Sequence, residues 1–200
     1  MKSHFVAGIM ISATLGGGVV TACCATAQAQ YNQYNRYPDS GPSLFGRGFG
    51  FESSPTARTL VNFSRPERPG TIVISTSERR LYLVTAPGQA LRYGIGVGRI
   101  GFTWAGTTAI SMKKEWPDWT PPSRMLHRRP DLPRHMAGGI DNPLGARAMY
   151  LGSSLFRIHG SNEPETIGQA VSSGCFRMTN EDVVDLYDRV RVGAKVVVLH

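Results

Sequence analysis

Glycine and proline, 23 and 13 of the 200 residues, interrupt nearly every apolar run of this chain. Proline lacks the N–H a helix interior needs, and glycine gives up much backbone entropy there. The segments between them therefore read as strands and turns rather than long helices. Thr71-Ile72-Val73-Ile74 is a β-branched run, Ser75 to Arg80 a polar turn, and Leu81-Tyr82-Leu83-Val84 a returning strand. Ala86-Pro87-Gly88-Gln89 turns the chain again into Ala90 to Val97, so the folded part opens as a β-meander starting between Leu60 and Gly70. Further strands are expected at Ile110 to Met112, Ala146 to Leu151, Ser154 to Ile158 and Lys195 to Leu199. One stretch has helical spacing. Thr179 is an N-cap residue, and Val183, Leu186, Tyr187 and Val190 follow on one face of a helix over Asn180 to Val190.

Chemistry concentrates in Arg157 to Met178, RIHGSNEPETIGQAVSSGCFRM. His159 closes an apolar run, and Cys175 follows sixteen residues later inside Ser-Ser-Gly-Cys-Phe-Arg. A thiolate is the nucleophilic form of cysteine, and an imidazole beside it can take the proton and hold the resulting ion pair. Glycines at Gly160 and Gly174 let backbone approach a reacting carbonyl, so that N–H groups face a developing oxyanion. Histidine precedes cysteine, the reverse of the papain-like order.

This block resembles the catalytic motif of the L,D-transpeptidase (YkuD-type) family: a His-Gly, a spacer, then Ser-x-Gly-Cys-x-Arg. The resemblance covers Pro69 to His200 and implies a mainly β, sandwich- or barrel-like domain with one helix in its C-terminal half. It implies Cys175 as nucleophile and His159 as base, with Ser172, Ser173, Gly174 and Gly160 around the oxyanion. Arg177 and Ser161 would face substrate. Many members carry histidine where this chain has Ser173. Family substrates are peptidoglycan stem peptides, crosslinked through a cysteine acyl-enzyme with release of a terminal D-alanine and without a cofactor. Three alternatives stay open: the acyl-enzyme resolved by water, its transfer to an envelope-protein lysine, or a non-catalytic peptidoglycan-binding domain.

Lys113 to Leu144 reads as a long irregular segment, with Trp116-Pro117-Asp118-Trp119-Thr120-Pro121-Pro122 at its start. Arg124, His127, Arg128, Arg129, Arg134 and His135 make it the most basic part of the chain. Loops of this length in compact domains are usually lids or binding loops. Its Asn142-Pro143-Leu144-Gly145 turn also resembles the family, which points to a lid beside the substrate groove. His127, Asp131 and His135 stand at equal four-residue steps, but Pro130 and Pro133 break the helix such spacing needs, so no metal is expected. Gly96-Val97-Gly98-Arg99-Ile100-Gly101 has the spacing of a dinucleotide-binding loop, yet Phe102 to Thr108 favours strand over helix. Its glycines therefore read as turn and close-packing positions.

Residues 1–29 read as a secretory signal peptide: Lys2 and His4, an apolar Phe5 to Val20, and small-residue cleavage sites at Ala25-Thr26-Ala27 and Ala27-Gln28-Ala29. Val20-Thr21-Ala22-Cys23 offers a lipoprotein-type alternative that would anchor the chain at Cys23. Either way the destination is the periplasm or cell envelope. Cleavage at either Ala-x-Ala site removes Cys23 and Cys24 and leaves Cys175 as an unpaired thiol. Residues 30–68 have no apolar period and read as a flexible linker before a catalytic domain over 69–200. The formal net charge of +8 suits a carboxylate-rich polymer, and the export signal argues against nucleic acid as its target.

Overall fold

A computed structural model describes residues 56–200. The leader, Cys23 and the linker up to residue 55 lie outside the described residues. In chain order the strands are β1 (Thr59–Asn62), β2 (Ile72–Ser75), β3 (Arg80–Ala86), β4 (Gln89–Gly94), β5 (Val97–Gly98) and β6 (Gly106–Glu115). A short helix α1 (Ser123–Arg128) precedes β7 (Arg147–Leu151), β8 (Arg157–His159), β9 (Ala170–Ser172) and β10 (Phe176–Arg177). Helix α2 (Asn180–Arg189) and β11 (Lys195–Leu199) complete the order.

Nine strands form one sheet in the order β1-β4-β3-β2-β11-β6-β7-β8-β10, while β5 pairs with β9. β6 is the joint. Its first residues, Gly106 to Ala109, pair with β11, and Ile110 to Glu115 pair with β7. The register shifts between Ile110 and Met112, and the Ser111 hydroxyl between them donates to the Gly152 carbonyl at 2.7 Å. Ile72, Ile74, Leu81 and Val196 from one half share a single core with Met149, Ile158 and Phe176 from the other. The two halves therefore pack face to face across a common interior.

The apolar runs that the sequence shows in β2 and β11 are buried on both sides. Ile72 and Ile74 enter the main core, while Val73 and Val197 pack in a second cluster with Phe63, Val84 and Ala90. A strand covered on both faces has no solvent side to encode in alternation, which explains the unbroken Ile-Val-Ile and Val-Val-Val. Helix α2 seats Val183 and Leu186 in the main core. Lys113 Nζ donates to the Tyr187 and Val190 carbonyls at 2.6 and 2.7 Å, a cation on the negative end of this helix.

β1 pairs with β4 from Thr59 onward, at the early edge of the window expected for the start of the fold. Two expectations need correction. β6 spans ten residues, not the three from Ile110 to Met112, because two neighbouring strands supply pairing along its whole length. The basic segment also contains a second helix, α1, which begins directly after Pro122 where a proline does no harm and buries none of its residues.

The Thr179 side chain accepts from the Asp182 N–H at 3.1 Å, as its position before α2 leads one to expect. Thr179→Ala should lower stability by about 1 kcal/mol in urea denaturation, while Thr179→Ser keeps most of it.

Candidate active site

β10 runs parallel to β8 at the sheet edge, with Phe176 level with Ile158 and Arg177 level with His159. Ile158 and Phe176 point into the core. Side chains alternate along a strand, so His159 and Arg177 lie on the opposite face, and Arg157 joins them one step earlier. Tyr150 is the register partner of Arg157 on the other side, and Ala148 that of His159. Tyr150 and Arg157 form one row and Ala148, His159 and Arg177 the next, with Cys175 immediately before β10.

The imidazole of His159 is held. Its Nδ1 lies 2.6 Å from the Gly160 carbonyl, and a carbonyl only accepts, so Nδ1 carries the proton and Nε2 keeps its lone pair. The ring is buried, which pushes its pKa down to about 3, with Arg177 and Arg157 adding to the fall against the Gly160 hydrogen bond. The stability this neutral ring supplies is full above about 6.5, the unfolded value, and is lost as pH falls toward 3.

Cys175 ends a turn built by Ser172. The Ser172 hydroxyl donates to the Cys175 carbonyl at 2.6 Å and accepts from the Gly174 N–H at 3.1 Å. Gly174 has φ +111°, a conformation side chains rarely adopt, and an added Cβ would stand 2.5 Å from the Phe156 ring. Gly98 lies behind it, with room for no Cβ against the Phe102 carbonyl or the Gly174 Cα. Trp104 Nε1 donates to the Gly174 carbonyl at 3.2 Å, and its ring stacks on Phe156 with centroids 4.9 Å apart. The glycine-rich segment 96–101 thus backs the cysteine turn: Gly96 exchanges hydrogen bonds with Arg177, and Arg99 N–H donates to the Ser172 carbonyl.

The half-buried Cys175 thiol approaches the Leu155 carbonyl at 3.8 Å. Burial pushes its pKa up, while the backbone and guanidinium of Arg157, and the charge of Arg177, pull it down. Burial thus disfavours the charged form of both groups, thiolate and imidazolium alike.

The remaining candidates have specific places. Arg177 Nη1 is spent on Glu163 at 2.7 Å and reaches Thr166 Oγ1 at 3.3 Å, which pins the loop crossing from His159 to Cys175. Ser161 is buried, and its hydroxyl accepts the Glu163 N–H at 3.0 Å. Gly174 N–H, an expected oxyanion donor, is engaged by Ser172. Gly160 orients the imidazole through its carbonyl. Ser173 is half-buried within the turn. Sequence reading passed over Arg157, although its position two residues before His159 on a strand already places both on one face.

The basic segment leaves and rejoins the sheet beside this site. Glu115 and Arg147, at its two ends, are register partners, and Arg147 accepts the Gly160 N–H through its carbonyl. Buried Asn142 ties its interior, donating to the Pro117 and Ala137 carbonyls at 3.1 and 3.0 Å. Asn180 Oδ1 accepts the Ala146 N–H at 2.9 Å and packs on Gly145 and Gly160, joining segment, histidine and α2. Asp131 is paired with Arg129 at 2.7 Å, and His135 lies 3.9 Å from Asp118.

The fold is that of an L,D-transpeptidase catalytic domain. The chain belongs to the L,D-transpeptidase catalytic-domain (YkuD) family, whose profile matches residues 69–198. It is similar to Probable L,D-transpeptidase YbiS of Escherichia coli K12, 38% identical over 134 residues that cover 62% of this chain and 43% of that one. Probable L,D-transpeptidase ErfK/SrfK of the same strain is 36% identical over 137 residues, covering 64% and 43%. This chain therefore spans less than half the length of these curated relatives. Among solved structures, a Brucella melitensis protein described as a probable carnitine operon oxidoreductase is 48% identical, with TM-score 0.50, covering 72% of this chain and 94% of that one. An L,D-transpeptidase from Mycobacterium smegmatis shares the fold at TM-score 0.52 and 21% identity, covering 65% of this chain and 58% of that one.

Because burial holds the thiol above its ordinary range, its thiolate fraction is small at neutral pH and grows with alkalinity. Iodoacetamide alkylation of Cys175 should therefore still be accelerating at about pH 9, whereas a plateau near neutrality would reveal a preformed ion pair. Gly174→Ala should cost about 1–3 kcal/mol of stability in thermal unfolding and slow this alkylation, since the turn carrying the thiol must shift.

Proposed function

We propose that this chain is an exported, cysteine-dependent L,D-transpeptidase acting on peptidoglycan stem peptides, with Cys175 as nucleophile and His159 as base. One observation carries the reading: Cys175 leads directly into β10, which pairs with the strand carrying His159, and Gly160 holds Nδ1–H so that Nε2 is the free base. Burial that disfavours charge on both groups suits this role. As Sγ attacks the carbonyl preceding the terminal D-alanine, its proton passes to Nε2, so charge develops only along the reaction. With the Gly174 amide engaged, the Cys175 N–H is the nearest main-chain donor left to the oxyanion.

Collapse of the tetrahedral intermediate breaks the C–N bond. His159 returns its proton to the departing amine of D-alanine, and a thioester on Cys175 remains. The amine of a second stem then attacks the thioester, His159 takes that amine's proton, and thiolate is expelled and reprotonated. The product is an amide between the third residues of two stems. Residues 1–29 act as the export signal, with the segment up to β1 as spacer to the envelope, and the basic segment 116–146 serves as a lid over the groove.

Mass spectrometry of tetrapeptide muropeptides incubated with the purified protein tests this reading. The expected products are dimers joined between third residues, absent with Cys175→Ala. Tripeptides without dimers would make water the acceptor, and products independent of Cys175 would overturn the assignment of the nucleophile.

A further inference from the structure

Arg147 and Arg177, the other arginines beside His159, each have a carboxylate within 4.0 Å, and Arg157 has none among the described residues. Its Nε is buried without a hydrogen-bond partner. Its guanidinium carbon sits 5.0 Å from the centroid of the Tyr150 ring, so an aromatic face supports the plane. It lies on the face of β8 that carries His159, two residues away, and its guanidinium acts on the Cys175 thiol. A half-buried cation is costly to leave without an anion, and a guanidinium presents a planar fork of donors matched to a carboxylate.

We propose that Arg157 is the specificity residue of this site, receiving a substrate carboxylate next to the carbonyl that Cys175 attacks. Arg177, the arginine of the cysteine motif, already has its Nη1 paired with Glu163. The position of Arg157 limits the ligand to a peptide with a free carboxylate close to the scissile bond. Two carboxylates of a stem peptide meet that description: the C-terminal one on the leaving residue, and the side-chain one on the third residue. The same cation also draws the thiol toward its ionised form, so binding the anion and activating the nucleophile are tied to one side chain.

The inference rests on the proposed transpeptidase function for the identity of the peptide, but not for the presence of the anion site. The first experiment therefore needs no turnover. Cys175 is alkylated with iodoacetate and with iodoacetamide, a charged and a neutral probe of similar size, in wild type, Arg157→Met and Arg157→Lys, with circular dichroism confirming the fold. The iodoacetate-to-iodoacetamide rate ratio should fall roughly tenfold in Arg157→Met and be largely kept in Arg157→Lys. An unchanged ratio in Arg157→Met overturns the proposal; should that variant not fold, an Arg157→Lys ratio no higher than that of free cysteine does so.

The second experiment measures KM for tetrapeptides amidated at one carboxylate or the other. Wild type should lose roughly ten- to hundredfold in KM for one of them, which identifies the carboxylate, and Arg157→Met should not discriminate. Wild type indifferent to both amidations overturns the proposal. An Arg157-dependent alkylation ratio without any peptide turnover would retain the anion site and remove the transpeptidase function instead.

Discussion

A two-residue parallel pairing, Phe176 and Arg177 against Ile158 and His159, joins the interior of this domain to its chemistry. On one side Ile158 and Phe176 are fully buried, and burying such side chains is worth about 1.5–3 kcal/mol each. On the other side the same four-residue patch aligns His159, and by one step Arg157, with Cys175 immediately before β10. The positions of thiol and imidazole are thereby set by core packing, not by a hydrogen bond between them. The loop that separates the two in sequence is closed by the Arg177–Glu163 ion pair and by the hydrogen bonds of β5 to the segment around β9.

Burial sets the electrostatics of this arrangement. It disfavours charge on both His159 and Cys175, while two nearby guanidiniums favour thiolate and oppose imidazolium. Burial that disfavours the thiolate also makes the thiol a poorer target for adventitious oxidants and alkylating agents, since the thiolate is the reactive form. The basic segment adds a second layer: Asn142 and Asn180, both buried, anchor its base to the histidine loop and to the start of α2.

Much of the meander, both strands leading to His159, the N-cap and helix α2, and the closing strand were legible in the sequence. In each case short-range physics decides them: β-branched runs between turn residues, or a 3.6-residue period after a capping threonine. The length of β6 and the existence of β1 were not legible, because both depend on partners far away along the chain. Leu60 is exposed and Thr59 to Asn62 lack a strong apolar alternation, so only pairing with β4 makes them a strand. Helix α1 was hidden by the prolines that flank it.

For the site, the sequence by itself determined the chemistry: a single histidine and a single cysteine in a glycine-lined motif, with serine and arginine at set offsets. What each of them touches was decided only by the tertiary structure. Ser172 and Gly174 bond to each other, Arg177 pairs with Glu163, and the Arg157 Nε is buried without a partner. The glycine-rich stretch 96–101, a loop motif by its spacing, became the strand and turn that back the cysteine. The physical reason is that residue type fixes what a group can donate, accept or ionise to. Which partners satisfy it, and how far water is excluded, depend on segments that meet only when the chain is folded.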